Sequence, residues 1–375
     1  MSLLPVSPCT GTPPLWRPSR IVGWGLIPNG RGEKQICAED RLVARRPIVI
    51  NSLGQRDRER SYRNTDGASR VLVLGDSFVE ALQVELADTF LARIENDLGV
   101  EMLNAGVSGY STDNEVRAFK STGRRYAPDV VILVFFIGND VLENGARLFL
   151  LNPHGLPPKP WLRARPPSAA LRACAGMEYA ANFVASTTPQ LLWQRSRVVR
   201  SLEISAAQEL TRRWCAHPSG PPLHDGVPEM LGVYREPSTP AWTEAWVTSE
   251  HLLRKLKDNV TRAGARLGVV LAPYAAEYDP RMRVLETQYE ILRNAKWDYD
   301  YPYRRLSALF EREGVPWMSL APTFKAYYRS THDSGCYASD AHWNEAGHEV
   351  VANALEPFVA SLIGRRPPPR RTDAN

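Results

Sequence analysis

A serine stands at the end of a short apolar run early in the chain. Residues 71–74 are Val-Leu-Val-Leu, and they lead directly into Gly75, Asp76 and Ser77. A strand that ends in a tight glycine-containing turn presents its next side chain at the carboxyl edge of a sheet, where α/β proteins place their sites. A serine hydroxyl becomes a nucleophile when a base removes its proton and a third group orients that base. Ser77 is therefore a candidate nucleophile that requires partners elsewhere in the chain.

The candidate base is His342, with Asp340 as the acid that orients it. Both residues lie between the last predicted strand and the last predicted helix, which places them on the same sheet edge as Ser77. In an extended loop, side chains two residues apart project to the same side. Asp340 can then accept a hydrogen bond from Nδ1 of His342 while Nε2 faces Ser77. His348 has no third ligand beside it, so a structural role is favoured and no metal is expected.

Two further loops can supply donors for a developing oxyanion, as acyl transfer requires. One loop contains Gly109 and the other contains Asn139, and each follows a predicted strand. The backbone N–H groups of Ser77 and Gly109, with the side-chain amide of Asn139, would form a hole with three donors. Ser108 is interpreted as a residue that supports its turn, and Asp140 as a cap or loop brace.

An alternation of strands and helices is predicted to position these residues. Short apolar runs predict strands at residues 70–74, 101–105, 130–137, 267–272 and 316–320. Apolar residues at helical spacing, with caps and breakers, predict helices at 89–98, 112–126, 242–263, 303–313 and 345–363. This order indicates the α/β class, as a doubly wound parallel sheet of about five strands with flanking helices.

The predicted catalytic domain covers residues 67–363. Residues 1–66 are expected to be an irregular segment that packs on it, with a short edge strand at 47–50, because they lack periodicity. Clustered prolines and helical patches predict a helical lid insertion at about 146–240. Residues 364–375 are basic and rich in proline, and they are expected to be a disordered tail.

Composition excludes several classes of protein. A hydrophobic content of 43%, a charged content of 23% and a net charge of +5 are ordinary for a globular protein and indicate no nucleic-acid partner. The longest apolar run is too short to span a bilayer, and no signal peptide is recognised, so a cytoplasmic protein is expected unless the start codon is wrongly assigned. The five scattered cysteines predict neither a zinc site nor a disulfide framework. No cofactor is expected, and the oligomeric state is not indicated.

Four sequence blocks, in order, resemble a known superfamily. Gly75-Asp76-Ser77, Gly109, Asn139 and Asp340-x-His342 are similar to blocks I, II, III and V of the SGNH hydrolases, the GDSL-type esterases and lipases. The resemblance covers about residues 67–363. It implies a flavodoxin-like sheet, Ser77 as nucleophile, Gly109 and Asn139 in the oxyanion hole, His342 as base and Asp340 as its orienter.

The final block departs from the pattern of many members of that superfamily. Many members have Asp-x-x-His, whereas this chain has Asp-x-His followed by Trp343, which is similar to the polysaccharide O-acetyltransferases of the superfamily. The expected function is a serine esterase that removes a short acyl group, such as acetyl, from a carbohydrate or a related small molecule. An O-acyltransferase acting on a glycan and a non-catalytic sugar-binding module remain the alternatives.

Overall fold

Continuous apolar runs form the central sheet of this protein, seen in a computed structural model that describes residues 15–19, 21–38, 41–145, 229–283, 297–338 and 341–364. The strands are Trp16–Ser19 (β1), Gly23–Leu26 (β2), Arg31–Ala38 (β3), Arg41–Val49 (β4), Arg70–Gly75 (β5), Glu101–Gly106 (β6), Val130–Phe136 (β7), Arg266–Ala272 (β8) and Trp317–Ser319 (β9).

Five of these strands form the central sheet, in the spatial order β6-β5-β7-β8-β9, and every pair is parallel. Numbered by their order in the chain, the five strands lie as 2-1-3-4-5, the flavodoxin-like doubly wound arrangement. The predicted α/β fold class is confirmed.

Helices cover both faces of this sheet, because its central strands are apolar on both sides. Alternate residues of β5 divide between two cores: Leu72 and Leu74 face one layer, while Val71 and Val73 face the other. The helices are Ser77–Glu80 (α1), Phe90–Leu98 (α2), Thr112–Ser121 (α3), Asp140–Asn144 (α4), Pro240–Arg262 (α5), Tyr301–Glu313 (α6), Ala321–Thr331 (α7) and Glu345–Leu362 (α8). Helices α3 to α6 pack in the first layer, and α1, α2, α7 and α8 pack in the second.

Helix boundaries differ from the predicted ones where local hydrogen bonding decides them. Helix α3 is capped by Ser111 and Asn114, which bond reciprocally, and not by the expected pair Thr112 and Glu115. The helix ends at Ser121, and a separate 3-10 turn follows over Gly123–Tyr126. Helix α7 was not predicted, because it follows β9 after a single residue and its sequence lacks a clear apolar stripe.

The N-terminal region forms two antiparallel hairpins, where an irregular segment was expected. Strand β1 pairs with β2, and β3 pairs with β4 across a bulge. Strand β4 is partly exposed, with Val43 61% exposed, and β2 is mostly buried but only four residues long. Neither ribbon therefore carries a continuous apolar run that its sequence would reveal. A third core cluster joins the hairpins to the loops after β5 and β6. Its members are Leu15, Trp24, Leu26, Ile48, Ile50, Leu82, Val107 and Tyr110.

One cysteine departs from the expectation of incidental thiols. Cys37 in β3 is disulfide-bonded, with its partner outside the described residues, whereas Cys336 is buried and forms no disulfide. Scattered cysteines have no spacing signature, so the sequence could not reveal this bond. Within the described ranges, no helix is both long and apolar enough to cross a membrane. Most of the predicted lid insertion, and all of the predicted tail except Gly364, lie outside the described residues; Glu229–Tyr234 forms a 3-10 helix.

The end of β6 tests how tightly the sheet holds the turn after β5. A Cβ on Gly106 would lie 2.5 Å from the backbone nitrogen of Glu80 and from Cβ of Val79, so Gly106→Ala forces α1 away. We expect a loss of about 1–3 kcal/mol in the free energy of unfolding, measured by urea denaturation. Gly25→Ala is the control, because a Cβ there meets nothing within 4 Å. Equal stability of the two variants would contradict the packing described here.

Candidate active site

The structure brings Ser77 and His342 into direct contact. Ser77 is the first residue of α1, immediately beyond β5, and its Oγ lies 2.7 Å from Nε2 of His342. The two residues are separated by 265 positions in the sequence, and the loop between α7 and α8 brings His342 to the edge where β5 ends. A neutral imidazole with its lone pair on Nε2 can take the hydroxyl proton at this distance. This pair has the geometry of a nucleophile and its base.

Backbone bonds hold the loop that carries His342. The N–H of Tyr337 donates to the carbonyl of His342 at 2.8 Å, and the N–H of Ala341 donates back to the carbonyl of Tyr337 at 2.8 Å. Cys336 and Trp343 form an antiparallel bridge across the same loop. The imidazole also packs against Phe78, with ring centroids 4.9 Å apart. The imidazole of His342 is therefore fixed both by its own loop and by Phe78, the residue that follows Ser77.

Trp343 anchors this loop in the core. Its side chain is 1% exposed and packs on Phe78, Phe90 and Phe324. His348 supports the same cluster, because its Nδ1 accepts the backbone N–H of Phe90 at 3.3 Å. Burial lowers the pKa of His348 to about 3, so this imidazole is a neutral acceptor. The structural role expected for His348 agrees with these contacts, and the described residues contain no cluster of potential metal ligands.

Asp76 joins the turn that carries Ser77 to the loop after β7. One of its carboxylate oxygens accepts the N–H of Phe78 at 3.0 Å, and the other accepts Nδ2 of Asn139 at 3.3 Å. Burial raises the pKa of Asp76 to about 6. Nδ2 of Asn139 carries a second hydrogen, which remains available for a ligand. Asp140 braces the same loop, since its carboxylate accepts the N–H of Phe136 at 2.7 Å.

Gly109 lies in the turn after β6, with a φ of +77° that favours glycine. The N–H of Val107 donates to the carbonyl of Gly75 at 3.2 Å, which joins this turn to the turn that carries Ser77. Ser77, Gly109, Asn139 and His342 are all partly exposed, whereas the residues on either side of Ser77 are buried. These four candidate residues therefore reach the protein surface, while Asp76 and Phe78 beneath Ser77 are buried. Asp340 lies outside the described residues.

Two buried carboxyl groups near this edge were not recognised from the sequence. Glu80, at the end of α1, accepts the backbone N–H of Ser108, and burial raises its pKa to about 7. Glu277 follows β8 and accepts hydroxyl groups from Tyr234 at 2.8 Å and Tyr303 at 2.6 Å. Burial raises the pKa of Glu277 to about 7 as well. Its position after a strand was a usable signal, but its tyrosine partners come from distant segments.

Comparison with known proteins finds neither a matching family model nor a matching curated protein. Among solved structures, a two-domain esterase active on acetylated mannans is 11% identical, with a TM-score of 0.40; the match covers 80% of this chain and 51% of that one. This chain thus spans about half the length of that esterase.

Two further solved structures match along nearly their whole length. The acetylxylan esterase Axe2 of Geobacillus stearothermophilus is 12% identical, with 81% of this chain and 98% of that one covered and a TM-score of 0.40. A putative lipolytic protein of the G-D-S-L family from Desulfitobacterium hafniense is 9% identical, with 77% and 98% covered and a TM-score of 0.38. Similarities of this size assign no activity to this chain.

The buried carboxyl of Glu277 should make stability depend on pH. Its pKa of about 7 lies above the ordinary value of 4.5, so between these values the folded state keeps a proton that the unfolded state releases. The free energy of unfolding of the wild type, relative to Glu277→Gln, should therefore fall by on the order of 3 kcal/mol as the pH rises through this interval. Urea titrations at several pH values measure this difference.

Glu313→Gln provides a control of opposite sign. Hydrogen bonding from Lys257 lowers the pKa of Glu313, so the corresponding difference should rise weakly with pH. A difference for Glu277 that does not change between pH 4.5 and pH 7 would contradict a buried carboxyl with a raised pKa.

Proposed function

We propose that this chain is a serine ester hydrolase of the SGNH type. The observation that carries the proposal is the 2.7 Å contact between Oγ of Ser77 and Nε2 of His342 at the carboxyl edge of a flavodoxin-like sheet. His342 takes the hydroxyl proton while Oγ forms a bond to the ester carbonyl carbon. His342 then gives that proton to the departing alkoxide as the carbon–oxygen bond breaks. Water, activated by the same imidazole, releases the acyl group from Ser77.

Three donors would stabilise the oxyanion of the tetrahedral intermediate: the N–H groups of Ser77 and Gly109 and Nδ2 of Asn139. The bond from Nδ2 to Asp76 supports this assignment for Asn139, because it uses one amide hydrogen and holds the other in a fixed direction. The positive φ of Gly109 supports a specialised turn at that position. Each such donor is typically worth about 10²–10³ in kcat.

Asp340 is proposed as the carboxylate that orients His342, and the sequence spacing of the two residues supports this role. The proposed substrate is a short-chain ester, such as an acetyl group, on a carbohydrate or a related small molecule. This substrate class is supported by the resemblance of the four sequence blocks. No cofactor takes part in the proposed steps.

An O-acyltransferase would use the same acyl-enzyme with a sugar hydroxyl in place of water. The sequence reason for this alternative is the spacing of the block Asp340-x-His342-Trp343. Within that block the side chain of Trp343 is 1% exposed and packs in the core, so Trp343 itself is not available to contact an acceptor. Release of free acid from an acyl donor without any glycan supports the hydrolase. Release that requires a glycan supports the transferase.

Replacement of the nucleophile is the direct test. Ser77→Ala should lower the hydrolysis of p-nitrophenyl acetate by about 10⁴-fold or more and abolish covalent labelling by a fluorophosphonate probe. Ser361→Ala, on the exposed face of α8, is the matched control and should retain both. Wild-type protein that is folded but takes up no probe would overturn the proposed mechanism. If Ser77→Ala binds sugar as well as the wild type and neither protein hydrolyses esters, the non-catalytic sugar-binding module is favoured.

The acid has its own test. Asp340→Asn should lower kcat by about 10⁴-fold with little change in KM, because an amide at this position leaves the imidazole in the wrong tautomer. Asp258→Asn, at an exposed position of α5, should behave as the wild type. If Asp340→Asn keeps a kcat near the wild-type value, Asp340 has no part in the mechanism and Ser77 and His342 act as a dyad.

A further inference from the structure

A tryptophan from the N-terminal hairpins contacts the turn that contains Gly109. Trp24, in β2, is fully buried, and its indole Nε1–H donates to the carbonyl oxygen of Ser108 at 2.9 Å across 84 positions of sequence. The hydroxyl of Tyr110 donates in return to the carbonyl of Trp24 at 2.6 Å. The two rings meet edge to face, with centroids 5.6 Å apart. Contacts with Trp24 thus lie on both sides of Gly109.

The carbonyl of Ser108 and the N–H of Gly109 belong to one peptide group. The described residues contain no cis peptide bond, and in a trans peptide the C=O and the N–H point in opposite directions. The bond from Trp24 turns the carbonyl of Ser108 towards the third core cluster, the one that contains Trp24 and joins the N-terminal hairpins to the sheet. The N–H of Gly109 must therefore point away from that cluster.

This peptide group needs such a bond, because its neighbours alone do not determine its orientation. The preceding peptide is held by Glu80, whose buried carboxyl accepts the N–H of Ser108. The following one is held by the bond from the N–H of Tyr110 to the carbonyl of Val107, at 3.0 Å. Between them, glycine at 109 accepts φ of either sign, so the central peptide could turn over at low cost.

We propose that Trp24 is a positioning residue for ester hydrolysis: its indole N–H orients the Ser108–Gly109 peptide so that the N–H of Gly109 faces the oxyanion. This inference rests on the proposed function, in which that N–H is an oxyanion donor. A hydrogen bond accepted at the carbonyl also polarises the peptide and makes its N–H a stronger donor. The N-terminal hairpins are thereby part of the machinery that stabilises the transition state.

The kinetic test is Trp24→Phe, which removes the indole N–H and keeps an aromatic ring. We expect kcat for p-nitrophenyl acetate to fall by about tenfold to a hundredfold with KM nearly unchanged, because the misplaced donor acts on the transition state. Trp246→Phe is the matched control. Trp246 is also fully buried, but its Nε1 has no hydrogen-bond partner among the described residues. The kcat of Trp246→Phe should therefore stay near the wild-type value.

A direct measurement of the peptide separates this inference from the proposed function. Protein labelled with ¹³C-carbonyl serine and ¹⁵N-glycine gives a correlated signal from each Ser–Gly peptide, and the chain contains three, at 108–109, 219–220 and 334–335. Trp24→Phe should shift the carbonyl signal of Ser108 and speed amide exchange at Gly109, while the other two signals stay in place. Trp246→Phe should move none of them.

The outcomes decide both proposals. An unmoved signal at 108–109, or an unchanged kcat in Trp24→Phe, overturns the positioning role. A fall in kcat matched by an equal rise in KM and a loss of folded protein also overturns it in favour of simple stabilisation. If Trp24→Phe does not fold, benzothienylalanine at position 24, in which sulfur replaces the indole N–H, repeats the test with the ring shape preserved. If Trp24→Phe shifts the signal but the wild-type protein has no esterase activity, the proposed function and the catalytic purpose of the contact are overturned together.

Discussion

The close packing of the chain after β5 against the chain after β6 determines where the candidate site lies. Gly75 and Gly106 end these two strands side by side, and a Cβ on either would overlap Val79 in α1. Because no side chain separates them, α1 lies directly on the sheet edge, and the bond from the N–H of Val107 to the carbonyl of Gly75 joins the turn that contains Gly109 to the turn that carries Ser77. The remaining parts of the site, on the loops of Asn139 and His342, are built against this arrangement.

The part of this arrangement that could be predicted from the sequence is the part encoded locally. Continuous apolar runs such as residues 130–137 are typical of buried parallel strands, whose carboxyl ends lie at one edge of the sheet, and on this basis Ser77 and His342 are expected at the same edge. The capping role of Asp76 is local in the same way, since a short carboxylate after a strand caps the next helix.

Contacts between distant segments without a periodic signal could not be predicted. Trp24 lies in a strand of only four residues, and nothing in the residues around it indicates that its indole reaches Ser108. The partners of Glu277 and the disulfide of Cys37 are of the same kind, since both depend on chain segments that only the tertiary fold brings together. Such contacts are determined by the packing of side chains and not by patterns of residue type, so a sequence locates the catalytic groups more readily than the residues that orient them.

The buried carboxyl groups around the site connect its stability to its proposed chemistry. Burial raises the pKa of Asp76 to about 6 and that of Glu80 to about 7, which shows that their charged forms are costly in this interior. The charge of His342 acts in the opposite direction on both groups and lowers their pKa. An imidazolium at His342 is what the proposed mechanism forms when Ser77 attacks. Because the interaction is mutual, an ionised carboxylate at Asp76 or Glu80 would favour that imidazolium in the proposed mechanism. Burial of these two groups thus links the stability of the site to its proposed chemistry.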